Sequence, residues 1–279
     1  MSRRPRRLLV AALALALVVG LGTPGAAEGA APAVTHHSAK KGVATWQMPG
    51  VTGALKDVGA SWYYNWSATK DGMASPAGVQ FVPMIWGADS VTDANLAAAA
   101  RQKVILGFNE PDLAGQADLT VDEALDLWPR LQATGRRLGS PAVAWGADQD
   151  GQWLDRFMAG AKQRGLRVDF ITLHWYGSDF SSAATGQLES YLRATYRKYK
   201  LPIWVTEYSL IRFASTGPQY PTTAQRVAFV KTSTTMMEKL AFVERYAWFG
   251  LPADGYPNGL YRDGRTPTAT GKAYRAVGA

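Results

Sequence analysis

The chain has 279 residues, 47% of them apolar and 19% charged, and it contains no cysteine. That balance excludes an unfolded or low-complexity chain, leaves apolar surface for a large core, and rules out disulfides, thiolate metal sites and cysteine nucleophiles. The net charge of +8 is partly a leader effect: without residues 1–27, 26 bases face 22 acids, and a net charge near +4 gives no reason to expect nucleic acid as a partner.

Arg3, Arg4, Arg6 and Arg7 precede an apolar run from Leu8 to Val19. That run is shorter than the roughly 20 residues that span a bilayer. A charged start, a short apolar run, then Pro24 and small residues read as a signal peptide over residues 1–27. Cleavage is expected after Ala27 or Ala33, giving a secreted product without a membrane span. Residues 28–41, rich in Ala, Gly, Pro, His and Lys, read as a disordered leader, with His36-His37 part of a solvated linker. No repeat or second composition break follows, so 42–279 reads as one domain.

Eight apolar runs read as short buried strands: Val43–Met48, Trp62–Trp66, Gln80–Trp86, Val104–Phe108, Pro141–Trp145, Phe170–Tyr176, Ile203–Thr206 and Tyr246–Phe249. Most are continuous rather than alternating, as in strands covered on both faces. Helical patterns lie between the later runs. Two turns are expected around Leu55, and an Ala-rich helix over Asp93–Gln102. Thr120 and Glu123 have capping-box spacing before a helix that Pro129 should kink or break. Trp153 to Ala161 and Leu188 to Tyr199 have helical spacing, and Gly165 is a stop signal for the first. Thr222 and Gln225 form a second capping box. Ser67–Val79, with Gly72, Pro76 and Gly78, should hold no helix. The pattern is α/β: a (β/α)8 TIM barrel whose early helices are abbreviated or missing. An open doubly wound sheet is the alternative, but its Gly-rich phosphate loop after the first strand is missing.

Barrels place their chemistry at the C-terminal ends of the strands. Those ends carry Trp46, Asn65-Trp66, Trp86, Asn109-Glu110, Trp145, His174-Trp175-Tyr176, Glu207 and Trp248. Two glutamates among many aromatics suit carbohydrate chemistry: flat rings stack on sugar C–H faces, and two carboxylates cut a glycosidic bond. Glu110 and Glu207 each end an apolar run, where a carboxylate is costly unless used or paired. Pro111 pushes Glu110 out of the helical region, so the strand ends there. Glu123, Glu189 and Glu238 fall in helices and read as solvated, and Glu244 should pair with a base at the opposite face. Strand alternation turns His174 and Tyr176 to the cleft and Trp175 to the helices. Trp46, Trp66, Trp86, Trp145 and Trp248 are the candidate sugar platforms, and Asp148–Gln152 and Asp179–Gly186 the candidate closing loops.

Gly107-Phe-Asn-Glu-Pro-Asp112, Leu173-His-Trp-Tyr176 and Trp204-Val-Thr-Glu-Tyr-Ser209 resemble glycoside hydrolase family 128. Trp62-Tyr-Tyr-Asn-Trp66 and the tail from Gly259 to Tyr274 look like the same family. The resemblance covers about 42–279. It implies a secreted, retaining β-1,3-glucanase of endo action on an irregular barrel, with Glu110 as general acid/base and Glu207 as nucleophile. It also implies that Asn109 binds the sugar 2-hydroxyl and that His174 and Tyr176 line the cleft near Glu207. The partner is then a β-1,3-glucan, with no nucleic acid, no membrane, and no metal or organic cofactor; a monomer is expected. A mannan- or xylan-cleaving relative, or a non-catalytic β-glucan-binding protein, are the alternatives.

Overall fold

The computed structural model describes residues 38–278. The expected signal peptide, and residues 28–37 of the expected leader, lie outside the described residues. The end of that leader belongs to the fold instead. Lys40 Nζ donates to the carbonyls of Met237 (3.3 Å), Glu238 (3.0 Å) and Leu240 (3.0 Å), and Lys41 opens the first strand. The open carbonyls at a helix C-terminus attract a cation, which anchors the chain before residue 42.

The strands are β1 (Lys41–Ala44), β2 (Trp62–Tyr64), β3 (Gln80–Phe81), β4 (Val104–Ile105), β5 (Arg137–Leu138), β6 (Ile171–Gly177), β7 (Ile203–Leu210), β8 (Arg212–Ala214), β9 (Gly217–Gln219) and β10 (Val243–Phe249). A parallel sheet runs β3-β2-β1-β10-β7-β6, and β4 pairs with β5. Single parallel bridges close the ring: Met84 with Leu106 between β3 and β4, and Gly139 with Phe170 and Val143 with Leu173 between β5 and β6. The result is the expected eight-stranded barrel, with β8 and β9 forming an antiparallel hairpin outside it.

The helices are α1 (Val51–Asp57), α2 (Asp93–Ala99), α3 (Val121–Gln132), α4 (Trp153–Gln163), α5 (Ala184–Tyr199), α6 (Thr223–Lys239) and α7 (Ala269–Ala276). None lies between β2 and β3, and α1 has only seven residues, so the early helices are indeed abbreviated. Both capping boxes form, at Thr120–Glu123 and Thr222–Gln225. Gly165, at φ +66°, ends α4 as the sequence signals: the Leu166 N–H reaches the Ala161 carbonyl and the Gly165 N–H that of Lys162.

Two expectations fail. Pro129 does not break α3; the buried Trp128 and Leu131 hold the helix to the core and outweigh one missing hydrogen bond. The fifth strand is Arg137–Leu138, not Pro141–Trp145. Its first residue is a charge that the apolar pattern hides; the Arg137 guanidinium meets Glu244 at 2.8 Å and lies over the Phe170 ring. Residues 141–145 only extend the wall through isolated bridges.

Alternation sorts the side chains into two cores. Val43, Tyr63, Ile105, Ile171, Val205 and Trp248 face the helices. Ala44, Trp62, Tyr64, Met84, Leu106, Phe170 and Trp204 fill the barrel. Gly42 makes room for that filling, since a Cβ there would lie 2.3 Å from the Trp62 indole. Among the described residues no helix is long and apolar enough to cross a membrane.

Candidate active site

Glu207 faces the barrel interior because β7 carries a bulge. Leu173 pairs with Val205 but His174 with Glu207, and Tyr246 pairs with Val205 but Trp248 with Tyr208. The extra residue reverses the alternation, so Trp204 and Glu207, three positions apart, both point inward while Tyr208 packs outward. Glu110 ends the β4 segment at φ +43°, in the left-handed region, with its N–H on the Ala142 carbonyl at 2.7 Å. A non-glycine residue held there is strained, and such strain collects at functional sites.

The two glutamates come together. Glu110 is 7% exposed and Glu207 4%, and one oxygen of each lies within 4.8 Å of the other, with His174 between them. His174 Nδ1 is 2.7 Å from Glu110 Oε1, and its Nε2 is 3.5 Å from Glu207 Oε1. Burial pulls the His174 imidazole down, but the charges of Glu207 and Glu110 outweigh it and leave the ring above its usual value. Glu207 accepts three hydrogen bonds: Tyr64 Oη at 2.9 Å and Trp66 Nε1 at 2.7 Å on Oε1, and the Tyr176 hydroxyl on Oε2. Burial, reinforced by the Glu207 charge, drives both phenols well above their ordinary range, so they remain donors.

Glu110, Glu207, Asn109, Tyr176, Trp46, Trp66, Trp86 and Trp145 all line one cleft of about 990 Å³. Trp46 reaches it across Gly250, where a Cβ would stand 2.8 Å from the indole. Trp145 is 55% exposed on the rim; beside it Asp112 Oδ1 accepts the Ala144 N–H at 2.9 Å.

Three expected placements are corrected. His174 lies beneath the cleft rather than lining it, fully enclosed between the glutamates. Asn65 turns away: Trp62, Tyr64 and Trp66 share the inward side, so Asn65 faces out and its amide donates to the Thr69 carbonyl and Asp71 at 3.0 Å each. Trp248 is core, wholly buried against Tyr208, Phe229 and Tyr274, with Nε1 on the Asn258 carbonyl. Its neighbour Phe249 takes the cleft position.

Strand alternation was the available signal for Tyr64 and Phe249, which the sequence reading missed. The loops expected to close the cleft do not line it. Ile211, Phe213, Pro218 and Tyr220, on and beside the β8–β9 hairpin, do so, as does Tyr256. Nothing in their pattern distinguishes them from ordinary loop residues. Trp175 stacks on Phe229 toward α6, as alternation requires, and Glu244 pairs with Arg137 at the far end of the barrel. Glu238, expected to be solvated, is half-buried and accepts the Tyr246 hydroxyl at 2.5 Å.

Glu110, His174 and Glu207 are also near enough to share a metal ion. Two carboxylates bridged by an imidazole also suit proton transfer between acid and carboxylate.

Residues 43–274 match the family model described as a glycosyl hydrolase catalytic core. An endo-β-1,3-glucanase of glycoside hydrolase family 128, subgroup I, from Amycolatopsis mediterranei, solved with laminaritriose, is 59% identical. The alignment covers 85% of this chain and 98% of that one, with a TM-score of 0.83. A subgroup II endo-β-1,3-glucanase from Sorangium cellulosum is 29% identical over 85% of this chain and 98% of its own, with a TM-score of 0.71. Alkali-sensitive linkage protein 1 of Schizosaccharomyces pombe is 31% identical over 224 residues, 76% of this chain; the chain spans only 39% of that relative's length. With its barrel, its paired glutamates and this likeness, the chain belongs to glycoside hydrolase family 128 and is a glycosidase.

Proposed function

We propose that the protein is a secreted, retaining endo-β-1,3-glucanase, with Glu110 as general acid/base and Glu207 as nucleophile. One observation carries the mechanism: the buried carboxylates approach within 4.8 Å at the floor of an aromatic cleft. Retaining pairs stand about 5–5.5 Å apart, whereas inverting pairs need about 6.5–9.5 Å to admit a water.

Glu110 donates its proton to the departing glycosidic oxygen while Glu207 attacks the anomeric carbon, forming a glycosyl ester. Glu110, now a carboxylate, takes a proton from water, and that water releases the sugar with its original configuration. The three donors on Glu207 suit a carboxylate that starts ionised and leaves ionised. Asn109 is suited to the 2-hydroxyl of the sugar in the cleaved subsite.

The relatives support the substrate. Complexes of the Amycolatopsis enzyme hold laminari-oligosaccharides, and the two glutamates replaced in its variants are separated by the same number of residues as Glu110 and Glu207. Exposed Trp145 and Phe213 on the rim of an open cleft favour attack within a chain. Export rests on the charged and apolar pattern of residues 1–27.

The test is release of reducing ends from a linear β-1,3-glucan by wild type and Glu110→Gln, with β-1,4-glucan, mannan and xylan as controls. NMR of the first product reads its anomer. The expected result is cleavage of the β-1,3-glucan alone, a β-anomer formed first, and loss of activity in the variant. An α-anomer formed first refutes retention, and activity only on a control polymer refutes the substrate.

A further inference from the structure

Asn109 is 3% exposed, lines the cleft beside Glu110, and has an Oδ1 with no hydrogen-bond partner. A buried acceptor left unpaired beside a cleft is available to a ligand hydroxyl. The other half of the amide is occupied: Asn109 Nδ2 donates to Gln116 Oε1 at 3.1 Å. Gln116 lines the same cleft, and the bond holds the nitrogen on the Gln116 side while the oxygen is left without a partner.

The chain after Glu110 folds back to deliver Gln116 there. The Leu113 N–H donates to the Glu110 carbonyl, the Gln116 N–H to that of Leu113 and the Ala117 N–H to that of Asn109, each at 3.1 Å. Gly115, at φ +86°, supplies the left-handed turn just before Gln116. Asn109's own N–H is held by the Trp86 carbonyl at 2.8 Å. The Asn109 backbone is thus fixed at its N–H and its carbonyl, and Gln116 supplies the hydrogen bond that fixes its side chain.

We infer that Gln116 is a positioning residue, which sets the Asn109 amide toward the sugar 2-hydroxyl in the cleaved subsite. This rests on the glucanase reading above. Contacts to that hydroxyl strengthen in the transition state, so a loosened amide is felt in kcat rather than in KM.

The test uses Gln116→Met, which keeps the length and removes the amide. Substrates are dinitrophenyl β-laminaribioside and its analogue lacking the 2-hydroxyl on the glucose attached to dinitrophenol. On the parent substrate kcat should fall about tenfold, the size of one hydrogen bond, with KM within about twofold. On the 2-deoxy analogue the variant should match wild type within about twofold, a pattern that general loosening of the loop would not give. In a cycle with Asn109→Ala, the double variant should be no slower than Asn109→Ala alone. Equal losses on both substrates, or additive losses in the cycle, overturn the inference. A wild type inactive on the parent substrate overturns the glucanase reading on which it stands.

Discussion

Replacing Tyr176 by Phe removes the hydroxyl on Glu207 Oε2, which has no other donor among the described residues. Replacing Tyr64 by Phe removes a donor from Oε1, which keeps Trp66 Nε1 at 2.7 Å. In a retaining cycle Glu207 loses its charge on bonding to the sugar and regains it on leaving, so these donors stabilise it most as a leaving group in the second step. A hydrogen bond to a charged group is worth about 1.5–3 kcal/mol, and about 1.4 kcal/mol is a factor of ten in rate. Tyr176→Phe should therefore slow hydrolysis of the glycosyl-enzyme about 10–100-fold. Tyr64→Phe should slow it about 3–10-fold, because its oxygen is still held. The assay is rapid mixing with dinitrophenyl β-laminaribioside, following dinitrophenol. Tyr176→Phe should release a burst of one equivalent per active site, then a slow steady rate. The reasoning is refuted if Tyr64→Phe is the slower enzyme, or if Tyr176→Phe is slow without a burst.

Glu110→Gln should lower kcat on β-1,3-glucan by about 10²–10⁴; with dinitrophenol as leaving group, which needs no acid, the first step should recover while the second still lacks its base, so rapid mixing should show a burst of dinitrophenol followed by a slow steady rate. Trp145→Ala should raise KM for long oligosaccharides about fivefold with little change in kcat, the worth of about 1 kcal/mol of ring contact, read from kinetics on a laminari-oligosaccharide series. The fold also has a pH signature. Burial lowers the Lys41 ammonium to about 8, with Glu238 opposing, from its usual 10.5. The unfolded chain then binds the extra proton between those values, so Lys41 makes stability rise with pH across about 8 to 10.5. Against Lys41→Met, wild type should gain about 3 kcal/mol over that window, measured by urea unfolding at several pH values. An unchanged difference would show that the fold does not disfavour the charged ammonium.

The sequence by itself determined the barrel and its two glutamates. Eight β-rich runs, mostly with helical patterns and capping boxes between the later ones, admit few folds, and a carboxylate ending Val-Ile-Leu-Gly-Phe-Asn or Ile-Trp-Val-Thr costs too much to be incidental. Local chemistry is written locally, which is why Thr120–Glu123, Thr222–Gln225 and Gly165 act where they stand. What tertiary structure decided is which way side chains face and what they meet. The bulge in β7 reverses alternation at Glu207, and only the partner strands fix its position. On β10 a one-residue difference in parity sends Trp248 to the core and Phe249 to the cleft. Tyr64 and Glu207 are 143 residues apart in sequence, yet the closed barrel sets hydroxyl and carboxylate 2.9 Å from each other. A strand's pattern records that two faces exist; the neighbours that pack against them decide which residue is cleft wall and which is core.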